Sequence, residues 1–237
     1  MTTIFHKALA ALALFAAAGL ASAQEAQAAE GERTDRAAAE RIVEQARETV
    51  RTLAADKDFE AMRAALGNAR AVLVFPRLVR AGFVLGGAGG NGVLLVRDSV
   101  GGNWVGPAFY TLASASLGLQ AGVATAETVM VIRSQKALES LYANKVKLGG
   151  DVAFALGRRG GERGASVTAD FVVYSRAQGA FAGLAVDGAI LDIREALAEA
   201  YYGRPASPAD ILASRSVQNA QAGPLQQALK DATGAGT

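Results

Sequence analysis

Between Ala71 and Arg133 the chain carries five β-type runs with no helical stretch between them, and that succession restricts the fold more than any other feature. Ala71-Val72-Leu73-Val74-Phe75 is a short apolar run closed by Pro76. Residues 81–86 and 92–97 read as two strands joined by a glycine-rich turn. Residues 109–122 are rich in the small side chains that suit close sheet packing, and 128–133 form another β-type run. Parallel strands need long crossovers, usually helices, so strands that follow one another without them pair antiparallel.

Helical periodicity is confined to the flanks and one central stretch. From Ala37, Ile42, Ala46, Val50 and Leu53 fall on one helical face with Val43 beside them, while Glu44–Arg47 and Glu48–Arg51 are spaced to pair. Asp58 is placed to cap a second helix carrying Phe59, Met62 and Leu66, ended by Gly67-Asn68. Ser134 opens a third, with Leu138, Leu141 and Tyr142 inward. Strands are expected again at 152–156, 167–174 and 181–186, with loops at 157–164 and 175–179. Asp192 and Glu195 resemble a capping box for a helix running to Tyr202, which Pro205 and Pro208 end. The expected fold is α+β: an antiparallel, curved or barrel-like sheet with helices at the N-terminus, middle and C-terminus packed against it.

The first residues belong to a different class. A positive n-region ending in Lys7 precedes an apolar stretch over 8–21, and Ala21-Ser22-Ala23 has the small residues a signal peptidase requires. The pattern is that of a signal peptide cleaved after Ala23, which predicts a periplasmic protein. The expected organisation is then a signal peptide at 1–23, a flexible lead-in at 24–36, a folded domain at 37–212, and a mobile tail at 213–237 with a short helix at 224–232.

Cleavage sharpens what the chemistry excludes. The chain has no cysteine and a single histidine, His6, which lies in the expected signal. The remainder lacks the side chain most used for acid–base work near neutral pH and the thiol used for covalent catalysis or zinc. Gly87-Ala88-Gly89-Gly90-Asn91-Gly92 satisfies a GxGxxG string, but strand-like Val93-Leu94-Leu95-Val96 follows where a dinucleotide site needs a helix. Asp151, Asp170, Asp187, Asp192 and Glu195 are scattered, which leaves a hydrolase built on two facing carboxylates as a weaker third reading. No catalytic residue, metal or cofactor is expected, and a net charge of +2 does not describe a nucleic-acid binder.

The basic residues are more suggestive. Arg77 and Arg80 bracket a stretch read as a loop in which cations alternate with Leu78 and Val79; Lys145 and Lys147 follow the central helix; Arg158, Arg159 and Arg163 sit among glycines. Such segments suit anionic lipid headgroups, the charges meeting phosphate while Leu78 and Val79 enter the interface.

Six ordered blocks resemble the SYLF domain family. They begin with Val72-Leu73-Val74-Phe75-Pro76, the Ala81–Gly87 and Gly92–Arg97 stretches, and Trp104 with Pro107-Ala108-Phe109. They continue through Leu117-Gly118-Leu119-Gln120-Ala121-Gly122, Lys147-Leu148-Gly149-Gly150-Asp151, the Tyr174-Ser175-Arg176 block running to Gly183, and Tyr201-Tyr202-Gly203. The resemblance covers about 37–212 and implies lipid binding without catalysis. Relatives in eukaryotes join this domain to SH3 or FYVE modules, bind phosphoinositides and, in yeast, bind actin; an exported bacterial chain would meet no actin, so that role is not carried over. The expected function is a periplasmic SYLF-like protein that associates with anionic phospholipid or a membrane surface. The alternative is an envelope interaction module that engages a protein partner through a sheet edge or the tail.

Overall fold

A computed structural model describes residues 30–82, 85–98, 102–117, 122–142, 145–157, 169–179 and 188–234. The expected signal peptide at 1–23 and the expected strand at 181–186 lie outside the described residues. Eight strands form one sheet: β1 (Ala71–Gly82), β2 (Leu85–Arg97), β3 (Trp104–Leu117), β4 (Gly122–Ile132), β5 (Lys145–Lys147), β6 (Phe154–Leu156), β7 (Phe171–Gly179) and β8 (Ile190–Ile193). Their order is β5-β8-β3-β2-β1-β4-β7-β6, and every pair is antiparallel except β6 with β7. The sheet curls into a half-barrel, with β5 and β6 at its two ends. The α+β architecture with an antiparallel sheet is as the helix-free run of strands implies.

Two sequence expectations fail in the centre of this sheet, for one reason. Pro76 does not close a strand and 76–80 is not a loop: β1 runs through it. From Val74 to Val79 β1 advances five residues while β2 advances four, from Val93 to Gly89; against β4, Phe75 to Leu78 advances three while Thr128 to Ala126 advances two. One extra residue therefore bulges out at Pro76-Arg77, the position where an interior strand can tolerate a residue without an N–H. The glycine-rich stretch is likewise not a turn but the body of β2. A Cβ on Gly90 would stand 2.2 Å from the Arg77 carbonyl oxygen, and one on Gly92 would stand 2.5 Å from the Phe75 ring. The bulge leans on β2, and only glycine leaves room for it.

The helices sort by face. α1 (residues 30–55) starts ahead of Ala37 and buries Ala39, Val43, Ala46, Val50 and Leu53 at 4-3-4-3 spacing. A short turn, Lys57–Phe59, is capped by Asp56, not Asp58, and leads into α2 (Glu60–Gly67). α3 (Gln135–Leu141) is capped by Ser134 as expected. α4 (Glu195–Tyr202) follows β8 with Arg194 at its N-cap and no side-chain cap, so the expected Asp192–Glu195 box is absent. Asp192 lies in β8 instead. Residues 175–179, expected as a loop, are the second half of β7.

Directly opposed antiparallel residues share a face, which fixes where each helix sits. Tyr174 on β7 donates its hydroxyl to Ala61 of α2 at 3.1 Å, Phe109 on β3 meets Tyr201 of α4 edge-on at 5.2 Å, and Thr49 of α1 reaches Glu127 on β4. Through the pairs Val129–Tyr174, Val74–Val129, Val74–Val93 and Val93–Phe109 these all belong to one face. Tyr110, on the other face, donates to Leu141 of α3.

The C-terminal segment is part of this core. α5 (Pro208–Leu212) carries a true capping box, Ser207 with Asp210, and α6 (Gly223–Ala232) buries Leu225, Ala228, Leu229 and Ala232. Residues 213–234 are thus not a loose tail. The apolar i, i+3, i+4, i+7 pattern of Leu225–Ala232 gives α6 a core-facing stripe.

Candidate functional site

The strands outrun the helices. On the face that bears α1, α2 and α4, β8, β3, β2, β1 and β4 continue past the helices, and their registers line up side by side. Lys147 on β5 opposes Ile190 on β8, which opposes Ala113 on β3, then Gly89 on β2, Val79 on β1 and Thr125 on β4. The next row out is Ala115, Gly87, Ala81 and Val123. Val123 is 63% exposed and Ile190 43%; Ala81, Ala113 and Ala115 are exposed as well. Buried side chains on the opposite face at this end are Ala88, Ala124 and Ala126, with Leu78, Leu112 and Leu191 in the row of Ala126. The bare strip is therefore largely apolar, made of Gly, Ala, Val and Ile with Thr125 at its β4 end.

One row nearer the helices the same face turns polar. Lys145 pairs with Asp192 at 3.5 Å, and Thr111 and Asn91 continue the row to the bulge. Beyond it, Glu127 on β4 opposes Arg176 on β7. Arg176 Nε donates to Glu127 Oε2 at 2.9 Å, its terminal nitrogen makes an ion pair with the same oxygen, and Thr49 Oγ1 donates to Oε1 at 3.1 Å. Exposed Arg77 borders the groove of about 320 Å³ that Glu127, Arg176 and Glu48 also line. Both oxygens of Glu127 are engaged, one by Arg176 and the other by Thr49, so its carboxylate ties β4 to β7 and to α1. Among the described residues no group of His, Asp and Glu is gathered as for a metal, and no helix is long and apolar enough to cross a membrane.

The expected lipid contacts fall into three groups. Val79 lies in the strip itself and Arg77 next to it on β1, Arg77 exposed and Val79 half-buried. Leu78 is 1% exposed, so it packs in the core and cannot enter an interface; the bulge turns it inward, a correction to its expected role. Arg80 opposes buried Ala88 and Ala124 on the other face and is half-buried. Lys145 and Lys147 stand at the β5 end, four strand spacings from β1 or roughly 19 Å. Lys147 therefore stands just beyond the β8 side of the strip, while Arg77 stands on β1, within the span that β4 extends with Thr125 and Val123. Arg158, Arg159 and Arg163 lie outside the described residues. Val123, Ile190 and Ala113 were not among the sequence candidates, because nothing local distinguishes an apolar residue on a bare face from one beneath a helix.

The shared motif blocks mostly hold the fold. Tyr202 donates to the Pro107 carbonyl at 2.8 Å, and Gly203, with φ 71°, closes α4. Asp151 accepts the Lys147 N–H at 2.8 Å across a turn with Gly149 at φ 81°. A family model described as "Ysc84: Las17-binding protein actin regulator" matches residues 113–232, from mid-β3 to the last residue of α6. The chain belongs to the Ysc84 (SYLF) family. The match runs past Leu212 to Ala232, in keeping with α6 docked into the core. Among Ysc84-family relatives, Protein YSC84 of Saccharomyces cerevisiae is 33% identical over 161 residues, 65% of this chain and 34% of that protein. LAS seventeen-binding protein 3 of the same yeast is 33% identical over 146 residues, 58% and 31%. SH3 domain-containing YSC84-like protein 1 of Rattus norvegicus is 27% identical over 161 residues, 66% and 47%. The chain thus spans between about a third and a half of the length of these Ysc84 relatives. No solved structure matches it.

Proposed function

We propose that this Ysc84-family protein binds anionic phospholipid at a membrane surface through the bare apolar strip of its sheet, without catalysis. The observation that carries the reading is the grouping of exposed Val123, Ile190, Ala113 and Ala81 with two exposed cations, Lys147 on β5 beside the strip and Arg77 on β1 next to Val79. Apolar side chains enter the acyl boundary while the cations meet headgroup phosphate. The magnitudes suit a reversible contact. Two partly exposed branched side chains contribute about 1 kcal/mol each and two cations about 1 kcal/mol each. The sum of about 4 kcal/mol corresponds to roughly a thousandfold enrichment at the surface, below what a single acyl chain gives. Residues 1–23 match the pattern of an export signal, and in this reading the protein is periplasmic and meets phosphatidylglycerol or cardiolipin.

The test is flotation with phosphatidylglycerol vesicles against phosphatidylcholine vesicles, at low and high salt, using the full chain, Val123→Asp and Lys147→Glu. Capture on the anionic vesicles alone, weakened by salt and by either substitution, is the expected result. Equal behaviour on both vesicles, or capture that ignores Val123→Asp, overturns it.

A further inference from the structure

The other end of the strands carries a cationic site that this reading does not use. Arg70 just before β1, Arg97 at the end of β2 and Arg215 in the turn after α5 line one cleft of about 540 Å³, with Asp98 the one carboxylate on its wall. We propose that this cleft binds the phosphate group of a small phosphate ester.

Each arginine is presented by the backbone. Arg97 is half-buried; its Nη1 donates to the Gly67 carbonyl at the end of α2, and its Nε donates to Gly102 O at 3.4 Å. Those bonds fix the guanidinium plane and leave further N–H groups of its five for a ligand. Arg70 is exposed and makes a long contact of 3.4 Å with Gln135 Oε1, so it is available to close on an anion. Arg215 pairs with Asp98 at 3.0 Å and has φ 55°, the one left-handed non-glycine residue among those described. A side chain with a Cβ is disfavoured there, and such a conformation survives only where neighbours enforce it. They do: the Ser214 N–H donates to Ala209 O and the Ser216 N–H to Asp210 O, both at 2.9 Å, and both serine hydroxyls donate to Asp210 O as well. The clamp holds Arg215 over the cleft.

Charge then selects the ligand. Three guanidiniums face one carboxylate, so the cleft holds a surplus of positive charge that Asp98 offsets only in part. A planar guanidinium fork matches phosphate oxygens, and several forks around one site favour an oxyanion with more than one acceptor. The volume is that of a small-molecule pocket and exceeds what a bare ion fills. Arg70, just before β1, and Ala81 are eleven residues apart along the extended chain, roughly 35 Å, so the cleft and the apolar strip act independently.

Inorganic phosphate and glycerol 3-phosphate, titrated into the full chain by calorimetry against chloride at matched ionic strength, test the site. Phosphatidic acid vesicles, in a sedimentation arm, test whether the phosphate comes on a lipid. Saturable binding of either soluble probe, weakened about tenfold or more by Arg70→Gln and by Arg215→Gln, is expected. Vesicle capture that needs both arginines, without soluble binding, assigns the phosphate to a headgroup. Arg215→Lys, which keeps the charge and loses the fork, guards against misfolding; its unfolding midpoint stays close to that of the parent while binding weakens. Binding to neither probe, or binding that both Gln variants retain, overturns the proposal. Val123→Asp leaves phosphate binding unchanged, so failure of the membrane reading and failure of this one are separately visible.

Discussion

Glu127 on β4 and Arg176 on β7 oppose each other in the sheet, and Thr49 of α1 donates to the carboxylate oxygen that Arg176 leaves free. One carboxylate thus ties two strands to the long N-terminal helix. Both ionic side chains are about three-quarters buried, enough to strengthen the pair and not enough to strand it far from water. Glu127→Ala is expected to lower stability by about 2 kcal/mol. Arg176→Ala should do nearly the same, and the double substitution should cost less than the sum because the pair acts as a unit. Urea denaturation of the three variants measures this, and additive losses would contradict the coupling.

The adjacent tyrosines of α4 should respond in opposite ways to loss of a hydroxyl. Tyr202 donates to the Pro107 carbonyl, so Tyr202→Phe is expected to cost about 1 kcal/mol. The Tyr201 hydroxyl is buried and meets no hydrogen-bond partner among the described residues, while its ring packs edge-on against Phe109 and Tyr202. Tyr201→Phe keeps the ring contacts and sheds a buried polar group, so it should be neutral or stabilising. Thermal unfolding of the two variants side by side separates them.

All five tyrosines are held above the ordinary phenol range, chiefly by burial, and Tyr110, Tyr201 and Tyr202 most strongly. Above a pH of about 10 the unfolded chain loses phenol protons that the folded chain keeps. The unfolded state then binds fewer protons, so stability is full below that pH and falls as pH rises through the folded values. The urea midpoint should hold from pH 8 to about 9.5 and decline beyond it. Phenolate absorbance from the three most shielded tyrosines should rise only with unfolding; ordinary titration of all five in the folded protein would refute this.

Two glycine substitutions should have opposite signs. Gly92→Ala forces a Cβ to within 2.5 Å of both the Phe75 ring and the Val74 carbonyl oxygen, which the bulged strand cannot vacate, so a loss of about 2 kcal/mol or more is expected. Gly67 ends α2 with nothing within 4 Å of an added Cβ, so Gly67→Ala should gain about 0.5 kcal/mol. Chemical denaturation of both variants provides the comparison.

Truncation after Leu212 should prevent folding. It removes Leu225 and Leu229, both fully buried, together with Ala228 and Ala232. Each leucine contributes about 2 kcal/mol on burial, and the surface they leave bare on their neighbours adds to the loss, against a typical domain stability of about 5–15 kcal/mol. Circular dichroism of the truncated chain, showing lost secondary structure where truncation after Ala232 retains it, is the check.

Much of the fold is local enough to be legible in the chain. The helical faces of Val43, Ala46, Val50 and Leu53, of Met62 and Leu66, and of Leu138 and Leu141 follow from 3.6-residue spacing and are buried as that spacing implies. Ser134 works as a cap because capping depends on neighbours three residues away. The antiparallel sheet follows from strands without crossovers. Asp192 could not be read in this way: a residue before a helix suits a cap, but the strand pairing of β8 with β5 sets it against Lys145 instead.

What the sequence determined by itself is this alternation of periods, the motif blocks of its family and the lack of a thiol or imidazole outside the first residues. What only the tertiary structure decided is where chemistry gathers. Pro76 and the glycines of β2 look like a stop and a turn until one extra residue in β1 presses on β2 and makes both parts of long strands. That bulge turns Leu78 inward and leaves Arg77 at the edge of a bare apolar strip whose residues come from five strands. Arg70, Arg97 and Arg215 are similarly remote in sequence and share one cleft. Periodicity and capping are set by neighbours within a few residues, whereas register, bulges and helix coverage depend on which distant segments meet.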